Sequence, residues 1–469
     1  MNLRGPDYLE GLGQMGLVGE WAVDKIISLT LENLQLKQQL EQAQAANKKL
    51  DEQLEQWQRQ AHRQAAPFRL SEDKRNPNPG RAGRKAGHPG SFRPKPDHID
   101  DYIHVPLPSC PYCQAAVCQK RSLVQYIEEI PEIRPHVTEL TTEEGWCQHC
   151  QRDIYSTHPL QTSRAAGAAA VQLGPRALAL ATELNKPKGL SMRKTVQILH
   201  DHFQLKLSPG GLALLVQRAA KRLAPQYEQM PMTLRQSSVV HADETSWWVG
   251  GPGWWLWVFA TPQMTYYVVI QSRAGAVAQA VLGKDFAGTL VSDCLAIYDD
   301  LTERQQKCYS HHLKAVSEAC QAHPQAGEGY LLQVQALLRT AILLKAFQEP
   351  TSQPRFELCL QNLQQQADAL LDFPRTQVQE EKVRLRLDKQ RDHLFTFLKQ
   401  PEVPATNNLA ERQLRPGVIA RKISCGNKTP KGASAWACLN SVAVTCQQIG
   451  GSFIEVVIQA FRLPLSRAP

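Results

Sequence analysis

The sequence predicts a multidomain α+β protein, and three observations along its 469 residues support this prediction. A helical heptad pattern occupies the N-terminal part of the chain, and two C-x-x-C pairs follow it. Short strand-forming runs begin only near residue 237, with helical patterns before and after them. Because 42% of the residues are hydrophobic, the chain has enough apolar material for a sizeable core.

Residues 1–66 are predicted to be a coiled-coil dimerisation segment. Apolar positions keep a spacing of three and four residues from residue 26 to residue 57, in two seams: Ile26, Asn33, Leu40, Asn47 and Leu54, and Leu29, Leu36, Ala43, Leu50 and Trp57. Asparagine at equivalent seam positions pairs well in one register only and selects two parallel strands, so we expect a homodimer through residues 26–57. The alternative is a single amphipathic helix that packs on its own chain.

Residues 67–100 form a basic arm, rich in glycine and proline, that cannot build a core. We expect Arg81, Arg84 and Lys85 to bind DNA, either along the phosphates or in a minor groove. The net charge of +9 also favours a polyanionic partner, because fixed positive charge displaces counterions from phosphates. The alternative is a solvated linker, and the two interpretations are compatible.

Residues 101–160 contain two cysteine pairs, Cys110 with Cys113 and Cys147 with Cys150. Four thiolates at this local spacing suit tetrahedral Zn²⁺, so we predict a zinc-ribbon-like module with a structural ion. The alternative is a set of buried or free cysteines that bind no metal. Disulfides are not expected, because they are rare in a reducing compartment.

The sequence predicts a cytoplasmic protein without membrane contact. It has no apolar run of about 18 residues, the length that a membrane-spanning helix needs. Its N-terminus also lacks the charged-then-apolar layout of a signal peptide.

Residues 161–235 have a helical pattern in which Ser191 and Ser208 are placed to cap two successive helices. Two helices joined by a short link are typical of a helix-turn-helix, whose second helix could read a major groove. Any helical hairpin gives the same pattern, so helix packing without DNA contact is the alternative. Residues 431–469 are predicted to form a C-terminal helical segment.

Three acidic residues are candidates for a catalytic site in residues 236–430. Asp243 is predicted to end the first strand of this segment and Asp293 the fourth, so their side chains can meet at one sheet edge. Glu411 lies on a predicted helix, on the same face as Asn407 and Arg415. The alternative is that Asp243 is a turn residue and that Glu411 with Arg415 is a solvated helix pair.

Such a triad suits phosphodiester chemistry. Mg²⁺ and Mn²⁺ are hard ions that prefer carboxylate oxygens. Two such ions, about 3.5–4 Å apart, activate the attacking oxygen and stabilise the leaving oxygen of an in-line displacement. The spacing of the acids alone leaves this interpretation and its alternative open.

Four segments carry a family resemblance: HADET at 241–245, LVSDCLAIYD at 290–299, CYSHHL at 308–313 and TNNLAERQLRPGVIARKISCGN at 406–427. Their order, after a coiled segment, a basic arm and a four-cysteine module, resembles the insertion-sequence-66 family of transposases. The resemblance implies a ribonuclease H-like DDE catalytic domain at residues 236–430, with a helical insertion at about 315–400. It also implies that Asp243, Asp293 and Glu411 are the catalytic, metal-binding acids.

The activity that the resemblance implies is hydrolytic nicking of double-stranded DNA at the ends of a mobile element. The freed 3′-hydroxyl would then be joined to target DNA by the same two metal ions. The resemblance further implies a bacterial protein that acts at the nucleoid, together with companion proteins of the same element.

The residues that follow Glu411 include four basic side chains expected to bind DNA: Arg412, Arg415, Arg421 and Lys422. Because arginine grips phosphate oxygens in pairs, we expect Arg415 or Arg421 to hold the DNA backbone beside the metals. Five tryptophans at 247, 248, 254, 255 and 257 either stack on an unpaired base or, in the favoured interpretation, pack the sheet or a dimer contact. Cys308 and His311 are either metal ligands or a core pair.

Two further functions have to be weighed against a transposase. One is a non-catalytic DNA-binding regulator, or an inactive transposase relic, whose function depends only on the coiled coil, zinc module and basic arm. The other is a structure-selective nuclease that cuts without joining. Metal-dependent cleavage and joining distinguish the three, since one fold can support many functions.

Overall fold

The structure is a computed structural model that describes residues 92–118, 121–163, 165, 167, 170–322, 329–346, 348 and 353–462, with ten isolated positions between 28 and 44. Those ten positions are all helical and exposed, within the segment predicted to be a coiled coil. The remainder of residues 26–57 lies outside the described residues, as do Arg81, Arg84 and Lys85 of the basic arm. The chain consists of two compact units, Met1–Tyr126 and Ile127–Pro469.

The second unit begins with a small hairpin and a group of three helices. The hairpin pairs β1 (Glu144–Cys147) with β2 (Arg152–Tyr155), and the helices are α1 (Pro175–Asn185), α2 (Met192–Phe203) and α3 (Pro209–Arg235). Ser191 and Ser208 cap α2 and α3 as predicted, because their hydroxyls accept from the N–H groups of Lys194 and Gly211. The hairpin of helices expected from the sequence is therefore present.

A five-stranded mixed sheet forms the centre of the second unit. Its order is β5-β4-β3-β6-β7, from strands β3 (Val239–Trp247), β4 (Trp254–Ala260), β5 (Thr265–Ile270), β6 (Thr289–Ser292) and β7 (Gln305–Lys307). β3, β4 and β5 pair antiparallel, whereas β6 and β7 run parallel to β3. The strands consist mainly of β-branched and aromatic residues, whose side chains fill both faces of a buried sheet.

The remaining elements are helices. α4 (Ala276–Leu282) lies between β5 and β6. After β7 come α5 (Tyr309–Ala322), α6 (Tyr330–Lys345), α7 (Gln353–Leu371), α8 (Val378–Asp388) and α9 (Thr396–Lys399), then α10 (Asn408–Ser424), α11 (Pro430–Gln448) and α12 (Phe453–Arg462). The described chain between β7 and α10 is thus helical. Together with the sheet, this composition agrees with the predicted α+β class.

The two faces of the sheet have different partners. Val240, Ala242 and Trp257 pack with the end of α3 and with α4. Leu256 and Val258 point to the other face and pack with α10 and α11. Because side chains alternate along a strand, Asp243, which pairs with Val258, points to the face that α10 covers.

Two further cores lie beside the sheet. Helices α1, α2 and α3 share one apolar core with α11 and α12, so the helical region and the C-terminal helices pack together. Helices α5 to α9 form the other core, which reaches the sheet at Val239 and Val291. No helix in the described parts of the chain is both long and apolar enough to cross a membrane.

The prediction that Asp243 ends its strand is wrong. β3 continues to Trp247 because its second half still pairs with β4, from Asp243 opposite Val258 to Trp247 opposite Trp254. The parallel pairing of β3 with β6 ends earlier than the pairing with β4, at His241 opposite Val291. Asp243 therefore lies just beyond the end of the parallel ladder.

Gly417 sets how closely α10 approaches the sheet. A Cβ atom at this position would overlap the Leu256 side chain and lie 3.4 Å from Trp436. We expect Gly417→Ala to lower the free energy of unfolding by about 1–3 kcal/mol, the usual cost of overpacking a core, in urea denaturation. The control is Gly210→Ala in the first turn of α3, where the nearest atom would be 3.9 Å away. Equal stability of the two variants would contradict this account of how α10 is placed.

Candidate active site

Asp243 and Asp293 are brought together by the parallel ladder. Val239, Val240 and His241 pair in turn with Thr289, Leu290 and Val291. Continuing that register by two residues sets Asp243 level with Asp293, which directly follows β6. Two carboxylates therefore face each other where the ladder has ended and no backbone bonds join the strands.

Backbone donors orient both aspartates. Oδ1 of Asp243 accepts a hydrogen bond from the N–H of Glu244 at 2.8 Å. Oδ1 of Asp293 accepts one from the N–H of Leu295 at 3.0 Å. The second oxygen of each carboxylate accepts no hydrogen bond from the described residues, which leaves it available to a ligand.

Glu411 is the third carboxylate at this place. It lies in the first turn of α10, where the helix dipole stabilises negative charge. Burial raises the pKa of Asp243 to about 7, and the charges of Glu244, Asp293 and Glu411 raise it as well. Asp243, Asp293 and Glu411 thus lie within electrostatic reach of one another.

Glu244 is next to Asp243 in sequence but belongs to the opposite face of the sheet. It pairs with Trp257, and its side chain is only 1% exposed. Arg273 binds its carboxylate at 2.9 Å, and the hydroxyl of Tyr298 donates to the other oxygen. The charge of Glu244 is therefore balanced inside the protein, whereas no described arginine or lysine forms an ion pair with Asp243, Asp293 or Glu411.

Asn407 fastens the start of α10 to the sheet, a role that the sequence did not predict. Its Nδ2 donates to the Ala242 carbonyl at 2.8 Å, and its Oδ1 lies 3.1 Å from Nδ1 of His241. Its own N–H donates to the Cys308 sulfur at 3.2 Å. Asn407 is fully buried, and its side chain does not cap the helix. These contacts hold Glu411, four residues further on, beside β3. Asn407 was placed on the predicted helix, on one face with Glu411, whereas α10 begins after it, at Asn408.

Burial also keeps His241 neutral, since it lowers the pKa of this histidine to about 4. The neutral ring donates from Nδ1 to Oδ1 of Asn407, because an amide oxygen can only accept. The contact of His241 with Asn407, at the start of α10, is therefore uncharged at physiological pH.

The predicted basic DNA contacts on α10 are not equivalent. Arg412, Arg415 and Lys422 are exposed on the helix. Arg421 is partly buried instead, and its guanidinium donates to the hydroxyls of Thr245 at 3.0 Å and Ser246 at 2.7 Å. Arg421 therefore ties the end of α10 to β3.

The tryptophans have separate roles in the structure. Trp257 is buried in the core on the α4 face, and Trp247 is buried against Trp436 of α11. Trp255 lies under the Arg273 guanidinium, 4.3 Å from its ring centre. Packing thus accounts for these three rings, whereas Trp248 is 45% exposed.

The two predicted zinc-binding pairs adopt the same kind of turn, one in each unit of the chain. Cys110 and Cys113 lie in a turn closed by the bridge of Ser109 with Ala116, and Gln114 has φ 60°. Backbone N–H groups of Cys113 and Tyr112 lower the pKa of the Cys110 thiol. Such donors favour the thiolate, the form that binds metal.

The second pair lies in the turn between β1 and β2. The N–H of Cys150 points at the Cys147 sulfur at 3.5 Å, and Gln151 has φ 48°. Backbone N–H groups of Cys150 and His149 lower the pKa of the Cys147 thiol. Each turn therefore presents its first cysteine as a metal ligand would need it.

The raised pKa of Asp243 predicts a pH-dependent stability of the metal-free protein. Between its ordinary value of 3.8 and about 7, the folded state binds more protons than the unfolded state, so stability falls as the pH rises. From pH 5 to pH 8 we expect wild type to lose about 2 kcal/mol relative to Asp243→Asn in urea unfolding, after allowance for partial solvent access. The control is Asp300→Asn, at an exposed carboxylate. A constant difference between wild type and Asp243→Asn would contradict the prediction.

Comparison with known proteins identifies the family. Residues 170–435, more than half of the chain, match the model of the family described as "Transposase IS66 family". A protein of Sinorhizobium fredii (strain NBRC 101917 / NGR234) named "Uncharacterized protein y4jO" is 34% identical over 73 residues, which are 16% of this chain and 23% of that relative. The family match includes β3, β6 and α10, the elements that position Asp243, Asp293 and Glu411. The chain therefore belongs to the IS66 family of transposases.

Proposed function

We propose that the protein is the DNA transposase of an insertion sequence. It binds the terminal inverted repeats of the element, nicks the DNA there by hydrolysis and joins the freed 3′-hydroxyl to target DNA. The observation that carries this proposal is the cluster of Asp243, Asp293 and Glu411. These carboxylates come from a strand, the end of its parallel neighbour and a helix packed on the first strand, in a chain of a transposase family.

The catalytic domain is proposed to have a ribonuclease H-like fold over residues 236–430. The order of the sheet supports this, with an antiparallel hairpin arrangement on one side of β3 and parallel strands on the other. Helices cover both faces. The helical segment between β7 and α10 then separates the second acid from the third.

The donor set fits hard divalent cations. Three carboxylates approach one another without an arginine or lysine partner among the described residues, and the aspartates keep an oxygen available. Two Mg²⁺ or Mn²⁺ ions bound by Asp243, Asp293 and Glu411 would remove this repulsion, and they would supply the charge that activates and stabilises oxygens in phosphodiester cleavage. The buried ion pair of Glu244 with Arg273 keeps that carboxylate out of the site.

The rest of the machinery positions these acids and the DNA. The Asn407 contacts and the anchored guanidinium of Arg421 hold α10 at both ends. Arg412, Arg415 and Lys422 are exposed on that helix and are proposed to hold phosphates beside the acids. The arm with Arg81, Arg84 and Lys85 and the capped helices α2 and α3 are proposed to add DNA contacts away from the site.

Two assembly features complete the proposal. Cys110, Cys113, Cys147 and Cys150 are proposed as ligands of structural Zn²⁺, a role supported by the matching turns and by the N–H groups directed at the first sulfur of each pair. Residues 26–57 are proposed as the homodimerisation segment, a coiled coil that would bring two sites to the paired ends of one element. Companion proteins of the same element are proposed as further partners.

The proposal predicts that each acid is required for chemistry but not for DNA binding. Asp243→Asn, Asp293→Asn and Glu411→Gln are each expected to reduce Mg²⁺-dependent cleavage and joining by at least about a thousandfold, because an ion bound at these carboxylates contributes several kcal/mol to the barrier. The assay uses DNA with the element's own ends, any companion proteins, and Mg²⁺ or Mn²⁺. Binding is measured in parallel.

Asp300→Asn is the matched control, since it removes an exposed carboxylate seven residues after Asp293. It is expected to cleave and join like wild type. A wild-type protein that binds the ends but never cuts them would favour the regulator or relic. Cutting without joining would favour the nuclease.

A further inference from the structure

A thiol, an imidazole and a carboxylate converge beside the three acids. The potential ligand atoms of Cys308, His311 and Glu411 all lie within 4.8 Å of one another. Cys308 directly precedes α5 and His311 lies in its first turn, so both donors come from the same end of that helix. Glu411 approaches them from the first turn of α10. Cys308 and His311 are not needed for the proposed pair of hard ions, which the two aspartates and Glu411 bind.

The imidazole of this group has an unsatisfied atom. Nδ1 of His311 is buried and has no hydrogen-bond partner in the described structure. Its nearest acidic oxygen, Oε1 of Glu411, is 4.0 Å away, which is too far for a hydrogen bond. A buried nitrogen without a partner is costly, and a cation bound between the ring and the carboxylate would satisfy it.

The sulfur is fixed more firmly than the other two donors. Cys308 is fully buried, and the N–H of Asn407 donates to its sulfur at 3.2 Å. Such outer hydrogen bonds orient the ligands of metal sites. The side chains of His311 and Glu411 are 38% and 39% exposed, so both have freedom to turn toward the sulfur.

The chemistry of the three donors selects a class of ion. Thiolate with imidazole and carboxylate suits Zn²⁺, Co²⁺ or Cd²⁺, whereas Mg²⁺ prefers oxygen alone. With bonds of about 2.0–2.3 Å, donors on one tetrahedral ion lie about 3.3–3.8 Å apart. Closing the site from a spread of up to 4.8 Å therefore needs shifts of about 1 Å, and a water would occupy the fourth position.

We propose that Cys308, His311 and Glu411 form a binding site for one thiophilic divalent cation, such as Zn²⁺, and that its occupation withdraws Glu411 from the two aspartates. The second part rests on the proposed function, because it requires Glu411 to bind the hard ions. One carboxylate cannot serve both arrangements, so the two kinds of ion compete. Zinc at this site inhibits DNA cleavage.

The binding test uses the full chain, its variants and Co²⁺, whose visible and thiolate charge-transfer absorption reports ligands directly. Wild type, Cys320→Ser and Asp243→Asn are expected to bind one Co²⁺ that Cys308→Ser, His311→Ala and Glu411→Gln do not. Cys320 lies on the same helix but outside the cluster, which makes it the matched control. The four-cysteine module is unchanged in all these proteins, so any Co²⁺ that it binds adds the same absorption to each of them.

Loss of one ligand is expected to weaken binding by more than tenfold, since even an outer partner is worth roughly 10–100-fold in affinity. An unchanged Co²⁺ spectrum in folded Cys308→Ser would overturn the site. If Cys308→Ser does not fold, His311→Ala tests the same site. His311 is partly exposed, so its replacement is expected to leave the protein folded. Circular dichroism establishes which variants are folded.

A second readout separates this inference from the proposed function. At fixed Mg²⁺, zinc is expected to inhibit cleavage by wild type, and Cys308→Ser should need more than about ten times as much zinc, relative to its own zinc-free rate. Cleavage with no cobalt site would overturn this inference alone. A cobalt site in a protein that cleaves under no condition would overturn the proposed function and keep the metal site.

Discussion

Carboxylates that repel one another have to be held together by contacts that do not use their own charges, and this requirement shapes the centre of the molecule. The parallel pairing of β3 with β6 sets Asp243 level with Asp293. Asn407 joins α10, the helix of Glu411, to β3. Its side-chain amide donates to the Ala242 carbonyl, and its backbone N–H donates to the Cys308 sulfur. At the other end of α10, Arg421 bonds Thr245 and Ser246. The uncharged hydrogen bonds of Asn407, and those of Arg421 at the far end of α10, thus oppose the repulsion among the acids.

Alternation along β3 separates the two kinds of acid in the HADET segment. Glu244 points into a core where Arg273 and Tyr298 satisfy it, whereas Asp243 points toward α10 and meets further negative charge. A structural ion pair and an uncompensated carboxylate therefore occur at adjacent residues. The uncompensated one is the candidate metal ligand, because a bound cation removes both its desolvation cost and its repulsion.

Local patterns in the sequence predicted the local features. Serine before a helical run predicted the caps at Ser191 and Ser208, and β-branched and aromatic runs predicted β3, β4, β5 and β6. They did not predict β7, which contains neither kind of residue. Long-range contacts were not predictable in this way. Asp243 was wrongly placed at a strand end, because periodicity does not reveal where a neighbouring strand stops. The bonds of Asn407 and Arg421 to β3 span more than 160 residues, and nothing in their local sequence specifies a partner.

The central claim is that Asp243, Asp293 and Glu411 bind a pair of hard divalent ions, and anomalous X-ray diffraction from crystals of the full chain with Mn²⁺ tests it most directly. The account predicts two manganese peaks about 3.5–4 Å apart, each within bonding distance of at least one of the two aspartates, with Glu411 bound to one of the ions. Manganese found only elsewhere in the chain, or a single ion that contacts none of the three acids at saturating concentration, would contradict it.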